Sequence, residues 1–155
     1  MMKILLVDDY KITRDGLRTL VEKESDMKVV GEAENGRRAL ELTSALLPDV
    51  VLMDVTMSDM NGIEATRQVH REHPETRVIA LSMHSDVRYV LGMLDAGASG
   101  YLLKDCAFEE LARAIRSVSI GQTYLSPGVT DIVVKDRLHR LHHAEDSAFY
   151  VLTER

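Results

Sequence analysis

Short apolar runs alternate with stretches of helical spacing along most of the chain. Ile4-Leu5-Leu6-Val7, Val29-Val30 with its flanks, Val50-Val51-Leu52-Met53, Val78-Ile79-Ala80-Leu81 and Tyr101-Leu102-Leu103 are the runs. The first, third and fourth are continuous rather than alternating, as expected of strands buried on both faces of a parallel sheet. Between them lie apolar stripes at helical spacing. These are Ile12, Leu17, Leu20, Val21; Ala39, Leu40, Leu42, Ala45, Leu46; Ile63, Ala65, Val69 with Thr66 beside them; Val87, Val90, Leu91, Leu94; and Leu111, Ala112, Ile115, Val118. Five successive strand-then-helix units predict an α/β domain with right-handed crossovers.

The punctuation agrees. Asn35-Gly36 opens the second helix and Pro48-Asp49 closes it; Asn61-Gly62 opens the third and Pro74 follows it; Gly97 and Gly100 end the fourth. The repeating module occupies about residues 1–120. Residues 121–155 differ. Gly121 to Gly128 reads as a turn-rich exit, Ser126-Pro127 starts a sixth helix to about Leu141, and His142 to Ser147 reads as a polar linker.

Composition narrows the function. The 155 residues are 45% hydrophobic and 28% charged, which suits a folded domain and not a disordered one. Acids number 25 against 19 Lys and Arg, a net charge of −6, which argues against a free-standing nucleic-acid binder. A single cysteine, Cys106, forms no internal disulfide framework and points to a reducing, cytoplasmic location. The N-terminal apolar run is too short for a signal peptide, and no stretch reaches membrane-spanning length.

Candidate chemistry lies at the carboxyl ends of the strands, where open α/β sheets bind ligands. Asp8 and Asp9 follow the first strand, Asp54 ends the third, Ser82 the fourth and Lys104 the fifth. A sheet ordered 2-1-3-4-5 makes strands one and three neighbours, so three carboxylates converge. That repulsion calls for a hard divalent cation with oxygen ligands, and Mg²⁺ uses one or two carboxylates and keeps several waters. Acids, a cation, a lysine and a hydroxyl are the equipment of phosphoryl transfer. Singly, an Asp after a strand is a turn former and Lys104 a surface lysine; together they are harder to dismiss.

Ile4-Leu5-Leu6-Val7-Asp8-Asp9, Val51-Leu52-Met53-Asp54-Val55-Thr56-Met57, Met60-Asn61-Gly62, Ala80-Leu81-Ser82 and Gly100-Tyr101-Leu102-Leu103-Lys104-Asp105 resemble the receiver (CheY-like) domain of two-component response regulators. The segment from Asp95 to Asp105, with Leu152-Thr153-Glu154-Arg155, resembles the NarL/FixJ subfamily, whose C-terminal LuxR-type helix-turn-helix binds DNA. The resemblance implies a flavodoxin-like, doubly wound, five-stranded parallel sheet with five helices over residues 1–120. Residues 121–155 would be a linker stopping where the DNA-binding domain begins, with no DNA-binding residue of their own. It implies that Asp54 accepts a phosphoryl group from a sensor histidine kinase. Asp9, Asp54 and the Thr56 backbone carbonyl would bind Mg²⁺ directly, and Asp8 through water. Lys104 would pair with the phosphoryl oxygens, Ser82 would donate its hydroxyl, and Tyr101 would turn inward as Ser82 is drawn over. The expected product is a switch that assists its own phosphorylation and dephosphorylation rather than a turnover enzyme. Its output would be homodimerisation through the fourth helix, fifth strand and fifth helix, or through the first and fifth helices.

One departure is Ser58, where the family usually has Pro, which frees the loop from Val55 to Met60 and bears on phosphoryl lifetime. Three other readings fit less well. A haloacid-dehalogenase-type phosphatase wants an acid where Thr56 stands. A flavodoxin needs a phosphate-cradling loop where Asp8-Asp9-Tyr10-Lys11 stands. A degenerate receiver would lack part of a set that is complete here. His139, His142 and His143 read as a solvated linker, and His70, His73 and His84 as surface positions. Cys106 reads as inert, Met57 and Met60 as shaping the rim of the acidic site, and Arg37, Arg38, Arg113 and Arg116 as solvated helix faces.

Overall fold

The computed structural model describes residues 1–57 and 59–153; the side chains of Cys106, Phe108 and residues 144–153 lie outside that description. So do Ser58 and Glu154-Arg155, and with them the expectations placed on the Ser58 loop position and on the last residues.

The alternating runs fold as read. In chain order the elements are β1 (Met2–Val7), α1 (Lys11–Glu22), β2 (Met27–Ala33), α2 (Gly36–Leu46), β3 (Val50–Asp54), α3 (Gly62–Glu72), β4 (Arg77–Ser82), α4 (Val87–Asp95), β5 (Gly100–Leu103), α5 (Ala107–Ser119), β6 (Tyr124–Leu125) and α6 (Pro127–Thr153). Among the described residues the strands form one sheet ordered β2-β1-β3-β4-β5-β6, every pair parallel. This is the flavodoxin-like order, with one strand beyond the five read from sequence.

The continuous apolar strands face two cores. Ile4, Leu6, Leu52, Ile79, Leu81 and Leu102 pack with Leu17 and Val21 of α1 and Leu111, Ile115 and Val118 of α5. Their alternates Leu5, Val7, Val51, Met53, Val78, Ala80 and Tyr101 pack with Ala39, Ala65, Val69, Val90 and Met93 from α2, α3 and α4 on the other side. Each fully buried aliphatic contributes roughly 1.5–3 kcal/mol, so this double layer carries the fold. Asn35, Asn61 and Asp86 cap α2, α3 and α4, their side-chain oxygens accepting from Arg38 N (2.9 Å), Glu64 N (2.9 Å) and Arg88 N (2.8 Å).

Four details correct the sequence reading. Ile12 is 83% exposed and Val87 47% exposed, each standing in the first turn of its helix. Ala45 is exposed as well, at the far end of α2. The turn-rich exit contains β6, which pairs Tyr124 with Gly100 and Leu125 with Tyr101. The sixth helix begins at Pro127 as expected but does not stop near Leu141; His142 to Ser147 is helical and α6 runs on to Thr153. Nothing between Val129 and Thr153 breaks a helix, and Lys135–Asp131 (3.2 Å) and Arg140–Asp136 (3.1 Å) ion pairs brace it. Val129 is buried, and Ile132 and Val133 are partly buried against the core that holds Val90 and Met93. No helix among the described residues is long and apolar enough to cross a membrane.

Candidate functional site

Parallel strands end on one rim, and β1 and β3 are neighbours. Asp8 and Asp9 leave the end of β1, and Asp54 is the last residue of β3. One carboxylate oxygen of each lies within 4.8 Å of the others. Asp8 is 1% and Asp54 3% exposed, so the mutual repulsion is poorly screened.

Lys104, which opens a single 3-10 turn after β5, answers part of that charge. Its Nζ donates to Asp8 Oδ2 at 3.0 Å and stands 3.5 Å from Asp54 Oδ1. Burial alone would lower the lysine's pKa; its bond to Asp8 and the charges of Asp54 and Asp8 outweigh that and raise it above 10.5. Asp8 Oδ1 accepts from Tyr10 N (2.9 Å), and Asp54 Oδ1 accepts from Thr56 N (3.3 Å). For Asp54 the balance goes the other way. Burial is the largest influence and pushes its carboxyl up to about 6, Lys104 opposes, and the negative charges of Asp8 and Asp9 reinforce the rise.

One lysine does not saturate three carboxylates. Asp9 Oδ1 is the buried side-chain oxygen that has no hydrogen-bond partner among the described residues. An orphaned buried oxygen inside a cluster of hard oxygen donors fits a divalent cation such as Mg²⁺.

The fourth strand completes the rim. Ser82, 1% exposed, accepts from His84 N at 2.9 Å through its Oγ. Tyr101 is fully buried, its ring already inside, and its hydroxyl donates to His84 O at 2.8 Å. Burial raises the Tyr101 pKa. Thr56 is exposed; Met57 and Met60 are half-buried and pack against the core that holds Val55 and Ala39.

The structure therefore brings together Asp8, Asp9, Asp54, Thr56, Ser82, Tyr101 and Lys104. His84, an exposed side chain as expected, lends the rim its backbone N–H and carbonyl. His139 and His143 stack at 6.2 Å on the exposed part of α6, and His73 is half-buried, bonded to Ser44 Oγ at 3.1 Å rather than free at the surface. Arg116 is not merely solvated but bridges Glu24 (3.0 Å) and Asp26 (2.9 Å).

Sequence reasoning passed over Gly62 as more than a helix opener. Its N donates to Val55 O at 2.9 Å. A Cβ there would overlap the Asp54 carbonyl oxygen and stand 2.9 Å from Val55 Cα. Only glycine lets α3 come this close to the acidic strand end. Ala is the better helix former by about 1 kcal/mol, yet the contact atoms are backbone and cannot swing aside. Gly62→Ala is therefore expected to destabilise the protein by about 1–3 kcal/mol in urea unfolding, because overpacking outweighs propensity. A stabilised variant would show that the approach is looser than described.

A doubly wound α/β domain with three carboxylates, a lysine and a hydroxyl on one rim is a defined class of signalling module. Residues 4–116 match the response regulator receiver domain, and the chain belongs to that family: it contains the receiver domain of a two-component response regulator. It is 38% identical over 135 residues to the transcriptional regulatory protein DegU of Brevibacillus brevis, covering 87% of this chain and 57% of that protein. The chain thus spans little more than half the length of that relative. A crystal structure of a LuxR-family two-component response regulator from Aurantimonas sp. SI85-9A1 superposes with a TM-score of 0.84 at 35% identity, over 89% of this chain and 99% of that one. The isolated receiver domain of RcsB from Salmonella enterica serovar Typhimurium, solved in the presence of the phosphomimetic BeF3-, superposes with a TM-score of 0.77 at 25% identity, over 84% and 97%.

Proposed function

We propose that this receiver is switched by phosphorylation of Asp54, and that the switch controls a transcription-regulating DNA-binding domain carried C-terminally in the whole protein. The observation that carries this reading is the convergence of Asp54 with Asp8, Asp9 and Lys104, with Asp9 Oδ1 left unpartnered.

In this reading Asp8, Asp9 and Asp54, with the Thr56 backbone carbonyl, would hold Mg²⁺. When bound, the ion supplies charge neutralisation beside the phosphoryl group. The chain's own residues do the rest. An Asp54 carboxylate oxygen attacks the phosphorus of a phosphohistidine on a sensor histidine kinase, or of a small acyl phosphate. As the new phosphorus–oxygen bond forms, the phosphorus–nitrogen bond of phosphohistidine breaks and the leaving imidazole takes up a proton; from an acyl phosphate, the phosphorus–oxygen bond to the acyl group breaks and a carboxylate leaves. Lys104, already within 3.5 Å of Asp54, offers its ammonium to the phosphoryl oxygens. Ser82 turns its hydroxyl from His84 N toward the phosphoryl group, with Tyr101 packed behind it. Hydrolysis of the acyl phosphate at the same rim resets the switch, so the protein assists both steps without being a turnover enzyme. Homodimerisation as output, DNA contact only through the C-terminal domain, and a cytoplasmic location belong to the same reading. RcsB, a structural relative, was solved with a phosphomimetic, which supports it.

Incubation with acetyl phosphate and Mg²⁺ followed by intact mass spectrometry tests the proposal. The expected result is a gain of one phosphoryl group that disappears when Mg²⁺ is chelated. A gain that persists in the chelated sample would sink the cation's part, and no gain in either sample would sink the whole reading.

A further inference from the structure

Beside the acidic rim, on the opposite edge of β5, lies a second buried polar cluster with no part in the chemistry above. Ser126 is fully buried at the junction of β6 and α6. Its N donates to Tyr101 O at 3.0 Å. Its Oγ accepts from Leu103 N at 3.2 Å and donates to Glu110 Oε2 at 3.1 Å. Its carbonyl accepts from Val129 N (2.8 Å) and Thr130 N (3.1 Å) in the first turn of α6. Glu110, 9% exposed on α5, holds the same junction a second time, accepting from the Tyr124 hydroxyl at 2.9 Å. A buried network satisfied this completely is stiff, and displacing one member moves the others.

The position of Leu103 makes the network informative. In the sheet, Leu103 pairs with Ser82 of β4 on one side. On the other it is bonded to Ser126, and the next residue along is Lys104. Tyr101 is placed the same way, with its side chain on the His84 carbonyl of the rim and its backbone carbonyl on Ser126. Tyr101 and Leu103 of β5 are thus each hydrogen-bonded to Ser126, the residue immediately before α6. The helix in turn is seated on α4 through Val129, Ile132 and Val133.

We infer that Ser126, clamped by Glu110, is the relay through which the state of Lys104 and Tyr101 is passed to α6. Ser126 is a positioning residue, touching no reacting atom. The inference rests on the phosphoacceptor reading of Asp54 and adds the route by which that site reaches the C-terminal helix. A lysine drawn onto a phosphoryl group pins the end of β5, and the pinned strand holds Ser126 and the first turn of α6. Coupling of this kind is reciprocal, so loosening Ser126 also loosens the rim.

Amide hydrogen exchange of residues 127–141, with and without Mg²⁺ and beryllofluoride, is the test, with fluorine NMR reporting ligand binding independently. In the wild-type chain exchange in the first turns of α6 slows severalfold when beryllofluoride binds. In Ser126→Ala the ligand still binds, more weakly, but the slowing is lost. Glu110→Gln, which keeps one acceptor and so one of the two hydroxyl bonds, shows a reduced response and guards against a variant that merely unfolds. A second arm needs no phosphoryl analogue: Lys104→Met speeds exchange of the same turns when Ser126 is present and adds nothing in Ser126→Ala. Equal slowing in wild type and Ser126→Ala, or bound beryllofluoride without any change in α6, overturns the relay. Absence of beryllofluoride binding to the wild type with a normal Lys104→Met response overturns the reading of the rim and leaves the relay supported.

Discussion

In metal-free buffer at neutral pH, Asp54→Asn melts higher than the wild type. The Asp54 carboxyl is pushed up to about 6 from an ordinary 3.8, chiefly by burial, with Lys104 opposing and Asp8 adding to the rise. A carboxyl whose folded-state pKa is raised binds its proton more tightly in the folded chain than in the unfolded one. Its ionised form therefore opposes folding, fully above pH 6, and that opposition fades as the pH falls toward 4. A rise of that size corresponds to about 3 kcal/mol, and the side chain is only 4% exposed, so solvent does little to soften it. At roughly 2–4 °C per kcal/mol, the expected gain in Tm is about 6–12 °C at pH 7–8. The gap between variant and wild type should close as the pH is lowered, because protonated Asp and Asn are then alike. It should also close when millimolar Mg²⁺ is added, since the cation stabilises the wild type more than a variant that has lost one carboxylate. Thermal melts of both proteins at several pH values read all three effects. A variant no more stable than the wild type at pH 7 would mean that Asp54 is not under electrostatic strain.

The opposite result is expected for Lys104→Met. The ammonium is the cation within 4 Å of both Asp8 and Asp54 among the described residues, and its side chain is 19% exposed. Removing one partner of a buried pair costs about 3–5 kcal/mol, because the remaining charges lose their compensation. The lysine's pKa is raised: burial pulls it down, but the bond to Asp8 and the charges of Asp54 and Asp8 prevail. A base with a raised pKa stabilises the folded chain at every pH below its ordinary value, and that contribution is lost only as the pH climbs through the raised one. The wild type therefore keeps it across the neutral range, while the variant lacks it throughout. The expected fall in Tm is about 6–20 °C at pH 7. Part of it should return near pH 5, as Asp54 takes up its proton, and part with Mg²⁺. Lys104→Met combined with Asp54→Asn should be more stable than Lys104→Met alone. Circular dichroism melts of the two single variants and the double decide this; additive effects would mean that the two side chains do not interact.

Much of this was legible in the chain itself, for physical reasons that can be named. A strand buried on both faces has to be apolar throughout, so Ile4 to Val7 and Val50 to Met53 declare themselves. The rule that ligands gather at strand ends then converts Asp8, Asp9, Asp54, Ser82 and Lys104 from scattered polar residues into one rim. What stayed hidden has no periodicity. The two residues of β6 are too few to show alternation. α6 carries Val129, Ile132 and Val133 toward the domain but leaves Val134, Leu138 and Leu141 about half exposed, so no single apolar stripe marks its length. The stretch from His142 to Ser147 is polar, but polarity does not end a helix where neither Gly nor Pro stands. Gly62 matters through a backbone approach that residue type alone does not reveal. Ser126 and Glu110 lie in segments that look like a turn and a solvated helix until the third dimension brings them together.

The central claim is that the carboxylate at position 54 is the group that carries the phosphoryl mark. Borohydride reduction of protein treated with acetyl phosphate and Mg²⁺, followed by peptide mass mapping, tests it most directly, since hydride converts an aspartyl phosphate to the corresponding alcohol. The account predicts homoserine at position 54, formed only with Mg²⁺ present. Reduction at another carboxylate, or an unaltered Asp54 in protein that has gained phosphate, would contradict it.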